Sequence, residues 1–425
     1  MTDDASKTAV PIARHQKRLS VWRSRVRPLI QATAITLAVL LVSGASVASI
    51  AFAKLSTAVS NNAVDISNGT EEPVPPAATL GAFEGGFAIL AVGADNAEGQ
   101  FDADERHGGT LNDVNILFHV SADHQSAVAL SLPRDLVIPQ PDCVDPVTGE
   151  EFGAVSAQPL NEAYGRGGLG CVKSTIEELT GLSIPYAAVF TFAGTIAMSD
   201  AVGGVPICLD EAITDPESGL DLPAGTSVVS GQQALSYLRA RKNVGDGSDL
   251  SRISSQQAYM SSLMRVMKSS ETLTNVPKLL NLATAAAENV SLSESLAHLN
   301  TMASMALTLK DLDLDKLVFA QFPVVEDPDN HNKVVPDEEL SALLMAKIAA
   351  DEPFTLSVDS LSTAVTLDPA VPVTTPTAPE DGSTDAATTD PTTDAAATTA
   401  PTPGPEIING LKGQLGSQQT CSVAN

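Results

Sequence analysis

From Leu29 to Ala53 the chain reads LIQATAITLAVLLVSGASVASIAFA, with no charged side chain. Wound as a helix at 1.5 Å per residue, this run reaches about 37 Å, more than the ~30 Å hydrocarbon core of a bilayer. Residues 1–28 carry seven basic side chains (Lys7, Arg14, Lys17, Arg18, Arg23, Arg25, Arg27) against two acidic ones, Asp3 and Asp4. The positive-inside rule then puts the N-terminus in the cytoplasm and everything after Ala53 outside. A cleaved leader is the rival reading, because AFAK at 51–54 offers an A-x-A site. Its apolar region would be about 7–15 residues long, and this run is far longer. An uncleaved single-pass anchor in the cell membrane is therefore expected.

That topology sets the chemistry of the rest. The four cysteines, Cys143, Cys171, Cys208 and Cys421, all fall on the outer side, where an even set is expected to pair. Three connectivities are open. The one expected here joins Cys143 to Cys171, which flank loops beside the site described below, and ties Cys421 in the tail to Cys208. No CxxC or HExxH spacing, G-x-S-x-G elbow, Walker A loop or G-x-G-x-x-G after a strand occurs. A formal net charge of −27 excludes a general nucleic-acid binder.

Composition divides the chain further. Residues 1–28 form a basic cytoplasmic tail, 29–53 the transmembrane helix and 54–82 a Ser/Asn/Pro/Ala-rich stalk. Residues 361–406, rich in Pro, Thr and Ala, read as a disordered spacer, and 407–425 as a tail that docks back through Ile407, Ile408, Leu411 and Cys421. Between them, 83–360 reads as one outer catalytic domain. GFAILAVGAD, VNILFHVS and AVALSLP are short apolar runs closed by turn chemistry, hence buried strands. CVKSTIEELTG is a helix that Gly181 should cap, and SGQQALSYLRARK is a short helix running into a strand. DLSRISSQQAYMSSLMRVMKS is an amphipathic helix with Ile253, Tyr259, Met260, Leu263 and Met267 on its core side. Alternating strands and helices predict an α/β fold, an α-β-α sandwich with a mixed central sheet, preceded by the transmembrane helix.

Three consecutive strands meet a charge at one end: Asp95 follows the first, Asp113 precedes the second and Arg134 follows the third. Ligands gather at strand ends in α/β sheets. Arg239 and Arg241, read as a strand, would point to one face and repel unless an anion lies between them. Arg252 and Gln256, at i and i+4, share a helix face away from the Ile253/Met260 stripe. Four arginines suit a pyrophosphate, and two carboxylates suit Mg²⁺, or alternatively Mn²⁺, which takes one or two carboxylates plus phosphate oxygens. The residues alone thus point to an outer site for a phosphorylated, lipid-linked molecule.

In order and spacing, the stretches LAVGAD, LNDVNILFHVSADHQSAVALSLPRDLVIP, LNEAYGRGG, FAGTIAMSDAVGGVPICL, LPAGTSVVSGQQALSYLRARK and DLSRISSQQAYM resemble the LytR–CpsA–Psr family of cell-wall ligases over nearly all of 83–360. The resemblance implies transfer of a glycopolymer from a polyprenyl-pyrophosphate carrier to peptidoglycan, with formation of a phosphodiester. It implies Mg²⁺ on Asp95 and Asp113, catalytic roles for Asp95, Asp113 and Arg134, and a pyrophosphate pocket of Arg134, Arg239, Arg241, Arg252 and Gln256. The apolar walls would house the polyprenyl chain. Two positions depart from the family's usual pattern: Leu111 and Ala97 stand where arginines are common. Arg106 or His107 in the intervening loop could supply the missing charge. A non-catalytic binder of the lipid precursor and a hydrolase using water as acceptor stay open as alternatives. A transcriptional regulator is opposed by the topology.

Overall fold

A computed structural model describes residues 16–69, 74–79, 81–95, 110–371 and 405–425. It divides into two compact units, 1–57 and 58–425. Residues 1–15 of the basic tail, the loop residues Ala97, Arg106 and His107, and 372–404 of the spacer lie outside the described residues.

In the first unit runs most of a long helix, α1 (Gln16–Asn61). Along it Leu29, Ile30, Leu40, Leu41 and Val42 are exposed. Among the described residues no helix is long and apolar enough to cross a membrane. Residues 29–53, expected as a transmembrane helix, form one part of this 46-residue helix.

The second unit is built on a sheet of eight strands: β1 (Ala63–Val64), β2 (Phe87–Asp95), β3 (Leu111–Val120), β4 (Ala127–Leu132), β5 (Tyr186–Phe190), β6 (Val290–Ser293), β7 (Leu317–Gln321) and β8 (Gly413–Leu415). Their order is β1-β6-β5-β2-β3-β4-β7-β8. The sheet is mixed, as expected: β2, β3 and β4 run antiparallel, while β5 pairs parallel with β2 and β7 parallel with β4. Period-two alternation divides β2 between two environments. Leu90, Val92 and Ala94 turn to a core shared with Leu169, Val172 and Ile176 of α2 (Ala163–Thr180) and with Leu344 and Ile348 of the helix Glu338–Ala349. Ala91, Gly93 and Asp95 line a pocket on the other face, beneath α3 (Phe192–Val202) and α5 (Asp249–Lys268). Gly181 ends α2 in the left-handed region at φ 69°, as its sequence signal predicts.

A second sheet, absent from the expected sandwich, joins Val205–Leu209 to Gly225–Val229, Thr420–Ser422 and Val365–Leu367. Its core holds Val205, Ile207, Leu209, Tyr237 and Tyr259.

Three expected boundaries move. The stalk is not free of the domain: Val59 is buried, β1 pairs with β6, and Ala78 donates a backbone N–H bond to Thr301. The spacer starts after 361, because Val365–Leu367 pairs antiparallel with Thr420–Ser422. It also ends before 406, because Glu406–Ile408 pairs with Phe354–Leu356. The tail docks as expected, through β8 on the central sheet and Thr420–Ser422 on the second. Cys143–Cys171 and Cys208–Cys421 are both bonded.

β8 approaches its neighbour so closely that a Cβ on Gly413 would sit 2.0 Å from the Phe319 carbonyl oxygen. Gly413→Ala is expected to lift the tail from β7 and lower stability by about 1–3 kcal/mol, the usual range for forced overpacking. Thermal melting checks this; an unchanged midpoint would show that the tail contributes nothing there.

Candidate active site

Because β2, β3 and β4 alternate in direction, the end of β2, the start of β3 and the end of β4 fall on one edge of the sheet. Asp95, Asp113 and Arg134 therefore meet, and all three line a pocket of about 500 Å³. A β-bulge sharpens the arrangement. Gly93 pairs with Val114 and Ala94 with Asn112, which leaves Asp113 as the extra residue of β3. Its Oδ1 accepts a hydrogen bond from Arg134 Nη1 at 2.9 Å. Asp95 is buried, and its Oδ1 accepts the backbone N–H of Leu111 at 3.0 Å. Leu111, in place of the arginine common in the resemblance, thus serves this site through its backbone.

Ser248 caps α5 by accepting the Ser251 N–H, which sets the first turn of that helix at the same edge. Arg252 Nη2 donates to the backbone oxygen of Asp113 at 3.1 Å. Asp249 fills the space between the arginines: its Oδ1 is 2.6 Å from Arg252 Nη2 and 3.2 Å from Arg134 Nε. Asp135 adds a longer contact to Arg134 at 3.6 Å and is itself held by Lys333 at 2.6 Å. Burial pushes the Arg134 guanidinium down, but Asp249, Asp113 and Asp135 outweigh it and hold its pKa above the ordinary arginine value. Burial pushes Arg252 down and Asp249 up, against their mutual attraction. Distance alone joins these groups: the buried Nε atoms of Arg134 and Arg252 and both oxygens of Asp249 make no hydrogen bond. Ion pairing with Asp249 therefore holds both guanidinium groups beside the pocket.

Arg239 and Arg241 are not on a strand. Arg239 is the last residue of α4 (Gly231–Arg239), which closes when Ala240 N–H bonds the carbonyls of Ser236 and Tyr237. Arg241 lies in the following turn, where its backbone N–H bonds Asp215 Oδ2. Both still line the pocket, Arg239 with its guanidinium 4.6 Å from the centre of the Phe192 ring. Gln256 also lines it, and its Nε2 donates to the Leu238 carbonyl. Met260, Leu263 and Met267, expected in the core, continue the same wall as Arg252 and Gln256. With Phe192, Met198, Val202, Leu235 and Leu238 they make a long apolar stretch of the wall, while Asp215, Glu217 and Ser218 add polar groups to the lining.

The pocket therefore has a cationic and acidic end and a long apolar end, a form suited to an anion carried on a hydrocarbon chain. A model of the LytR_cpsA_psr family matches residues 49–347. The chain belongs to this family. As a LytR–CpsA–Psr protein it is 34% identical over 271 residues to the cell wall biosynthesis protein LcpA of Corynebacterium glutamicum, covering 57% of this chain and 51% of LcpA. It is 24% identical over 301 residues to TagT of Bacillus subtilis, named a polyisoprenyl-teichoic acid–peptidoglycan teichoic acid transferase, covering 68% of this chain and 85% of TagT. The match to LcpA, and the one to LcpB of the same organism, spans about half the length of that relative. The crystal structure of protein gbs0355 from Streptococcus agalactiae has a TM-score of 0.50 at 20% identity, covering 63% of this chain and 88% of that one. The mixed α/β architecture is thus shared within the LytR–CpsA–Psr fold.

Reading the sequence missed Asp249, Asp135 and Asp215. Asp249 opens a helix, where an acidic residue is ordinary because it offsets the helix dipole. Nothing in its position separates that role from holding two arginines.

Proposed function

We propose that this protein is a membrane-anchored, extracytoplasmic phosphotransferase that moves a glycopolymer from a polyprenyl-pyrophosphate carrier onto peptidoglycan. An acceptor hydroxyl oxygen would attack the phosphorus bearing the glycan, forming the phosphodiester. The bond from that phosphorus to the bridging oxygen would break, polyprenyl phosphate would leave, and the hydroxyl proton would pass to solvent or to a nearby carboxylate. The observation that carries this reading is the convergence of Arg134, Arg239, Arg241 and Arg252 on one end of a pocket whose long wall is apolar. Arg239 and Arg241 complete a cationic set matched to a pyrophosphate. Phosphoryl transfer depends mainly on positioning and charge neutralisation, so a site without a nucleophilic triad is sufficient.

Asp95 and Asp113 line the same pocket and offer hard carboxylate oxygens, a donor set that fits Mg²⁺ alongside phosphate oxygens. When bound there, the ion would offset the charge that builds on the departing phosphate. The uncharged run at 29–53 and the exposed apolar side chains of α1 support a membrane anchor.

Purified full-length protein, incubated with a polyprenyl-pyrophosphate oligosaccharide, Mg²⁺ and peptidoglycan, is expected to yield a covalent glycan–peptidoglycan product. Release of free oligosaccharide phosphate without attachment would instead make water the acceptor. Arg134→Ala, Arg239→Ala, Arg241→Ala and Arg252→Ala should each remove a charge-assisted contact of ~1.5–3 kcal/mol, roughly 10- to 150-fold in lipid affinity. Lysine at Arg134 should rescue poorly, because a point charge cannot reproduce a bidentate fork. Asp95→Ala and Asp113→Ala should keep part of the binding and lose transfer. Near wild-type transfer by both Asp variants would remove the metal-assisted part of this mechanism.

A further inference from the structure

We infer that the helix Val276–Asn289, with the turn before it, rests on the outer leaflet of the membrane and sets the apolar end of the pocket at the lipid surface. This rests on the lipid-linked substrate and the anchor proposed above.

Leu273, Val276, Leu279 and Leu280 are 38%, 71%, 37% and 48% exposed. Val276, Leu279 and Leu280, at i, i+3 and i+4, form one stripe, and Leu273 ends the short helix just before it. The same helix buries Leu282 and Ala287 against the domain. Apolar residues scattered singly over a surface need no explanation, whereas a contiguous group marks a contact.

Two connections identify what covers it. Asn62 Nδ2 donates to the Ala287 carbonyl at 2.8 Å, so the first residues of the second unit, which follow 29–53 in sequence, pack at the C-terminal end of this helix. At 1.5 Å per residue, Val276 lies about 16 Å from that point. The second connection is to the pocket. Met267, the last pocket-lining residue of α5, is followed directly by the short helix Ser270–Leu273 and then by the stripe. Beside pocket-lining Val202, a Cβ on Gly203 would lie 3.8 Å from Lys278 Nζ of the exposed helix. Arg252 sits about 22 Å back along α5 from Met267, at helical rise. The apolar end of the pocket therefore runs directly into the stripe, with Arg252 set away from both and Asn62 at the other end of the same helix. A hydrocarbon chain could pass from bilayer to pocket without crossing water, and its pyrophosphate would be held outward. The formal net charge of −27 makes the contact one of apolar insertion rather than attraction to anionic lipid.

The test is depth-dependent quenching on the full-length chain in phosphatidylcholine vesicles. Single cysteines replace Leu40, Leu280 or Val358, the last being 93% exposed and far from the stripe in sequence. Each carries an environment-sensitive dye, with quenchers placed near the headgroup or at mid-chain. Interfacial helices bury their apolar face about 5–10 Å into the headgroup–acyl boundary, so the Leu280→Cys dye should shift to the blue and be quenched by the shallow probe. The Val358→Cys dye should respond to neither probe, and the Leu40→Cys dye to the deep one. If Leu40→Cys is quenched and Leu280→Cys behaves like Val358→Cys, the inference is overturned while the anchor stands. Shallow quenching of Leu280→Cys without deep quenching of Leu40→Cys keeps the surface contact and removes the anchor. Energy transfer between Leu280→Cys copies without lipid quenching would assign the stripe to a second copy of this chain and overturn the inference.

Discussion

Replacing Asp249 by alanine is expected to destabilise the second unit by about 3–5 kcal/mol, the usual result of removing one member of a buried ion pair. Asp249 does not line the pocket; it stands behind it, 2.6 Å from Arg252 and 3.2 Å from Arg134. Without it, Arg134 keeps Asp113 and Asp135, but Arg252 loses its carboxylate partner. A buried guanidinium then repels another across a gap no side chain fills. Asp249→Asn should recover part of the stability, since it retains shape and an acceptor oxygen, yet it cannot neutralise either arginine. The two readouts therefore separate. Urea unfolding reports the stability loss, and affinity for the lipid pyrophosphate reports arginine placement. Binding should fall in both variants because the donors lose their fixed geometry, so Asp249 acts as a positioning residue. An alanine variant that unfolds at the wild-type urea midpoint would show that the arginines are placed by Asp113 and the backbone alone.

The same residue shows where sequence reasoning stopped. Strand ends were legible because a charge that closes an apolar run is unusual, and three in succession on neighbouring strands are more so. Antiparallel pairing of β2, β3 and β4 then brings them to one edge. The bulge that turns Asp113 toward Arg134 has no sequence signal, because it arises from pairing between strands. Arg239 and Arg241 were misread for a different reason. Leu-Arg-Ala-Arg alternates with period two whether or not it is a strand, and here α4 continues through Arg239. Along α5, Arg252, Gln256, Met260, Leu263 and Met267 recur in steps of three and four residues, so they share one face. The predicted core stripe was in part a pocket wall, since apolar patterning cannot distinguish a filled core from an apolar cavity. The second sheet was hidden by size. Val365–Leu367 and Thr420–Ser422 are three residues each, too short for periodicity to show, and they pair across a long separation.

Loop length makes the Cys208–Cys421 bond the stronger of the two staples. It spans 213 residues against 28 for Cys143–Cys171. On the loop-entropy estimate, opening them costs about 5 and about 3–4 kcal/mol respectively. Domains are commonly stable by only about 5–15 kcal/mol, so the double variant Cys208→Ser/Cys421→Ser should lose much of its margin. The loss should also reach the site. Ser422, next to Cys421, meets the hydroxyl of fully buried Tyr237 at 2.7 Å and that of Ser255 at 3.2 Å. Tyr237 belongs to α4 and Ser255 to α5, the helices that carry Arg239 and Arg252. Releasing the tail strand removes the bond that joins them from below. Urea unfolding of the two double-serine variants, each compared with wild type, gives the stability order. Lipid-pyrophosphate affinity, measured under conditions where both variants remain folded, gives the effect on the site. The larger loss on both measurements is expected from opening Cys208–Cys421. If opening Cys143–Cys171 does more damage on both, the tail is held by its strand pairing with β7 and Val205–Leu209, and the covalent link adds little to either.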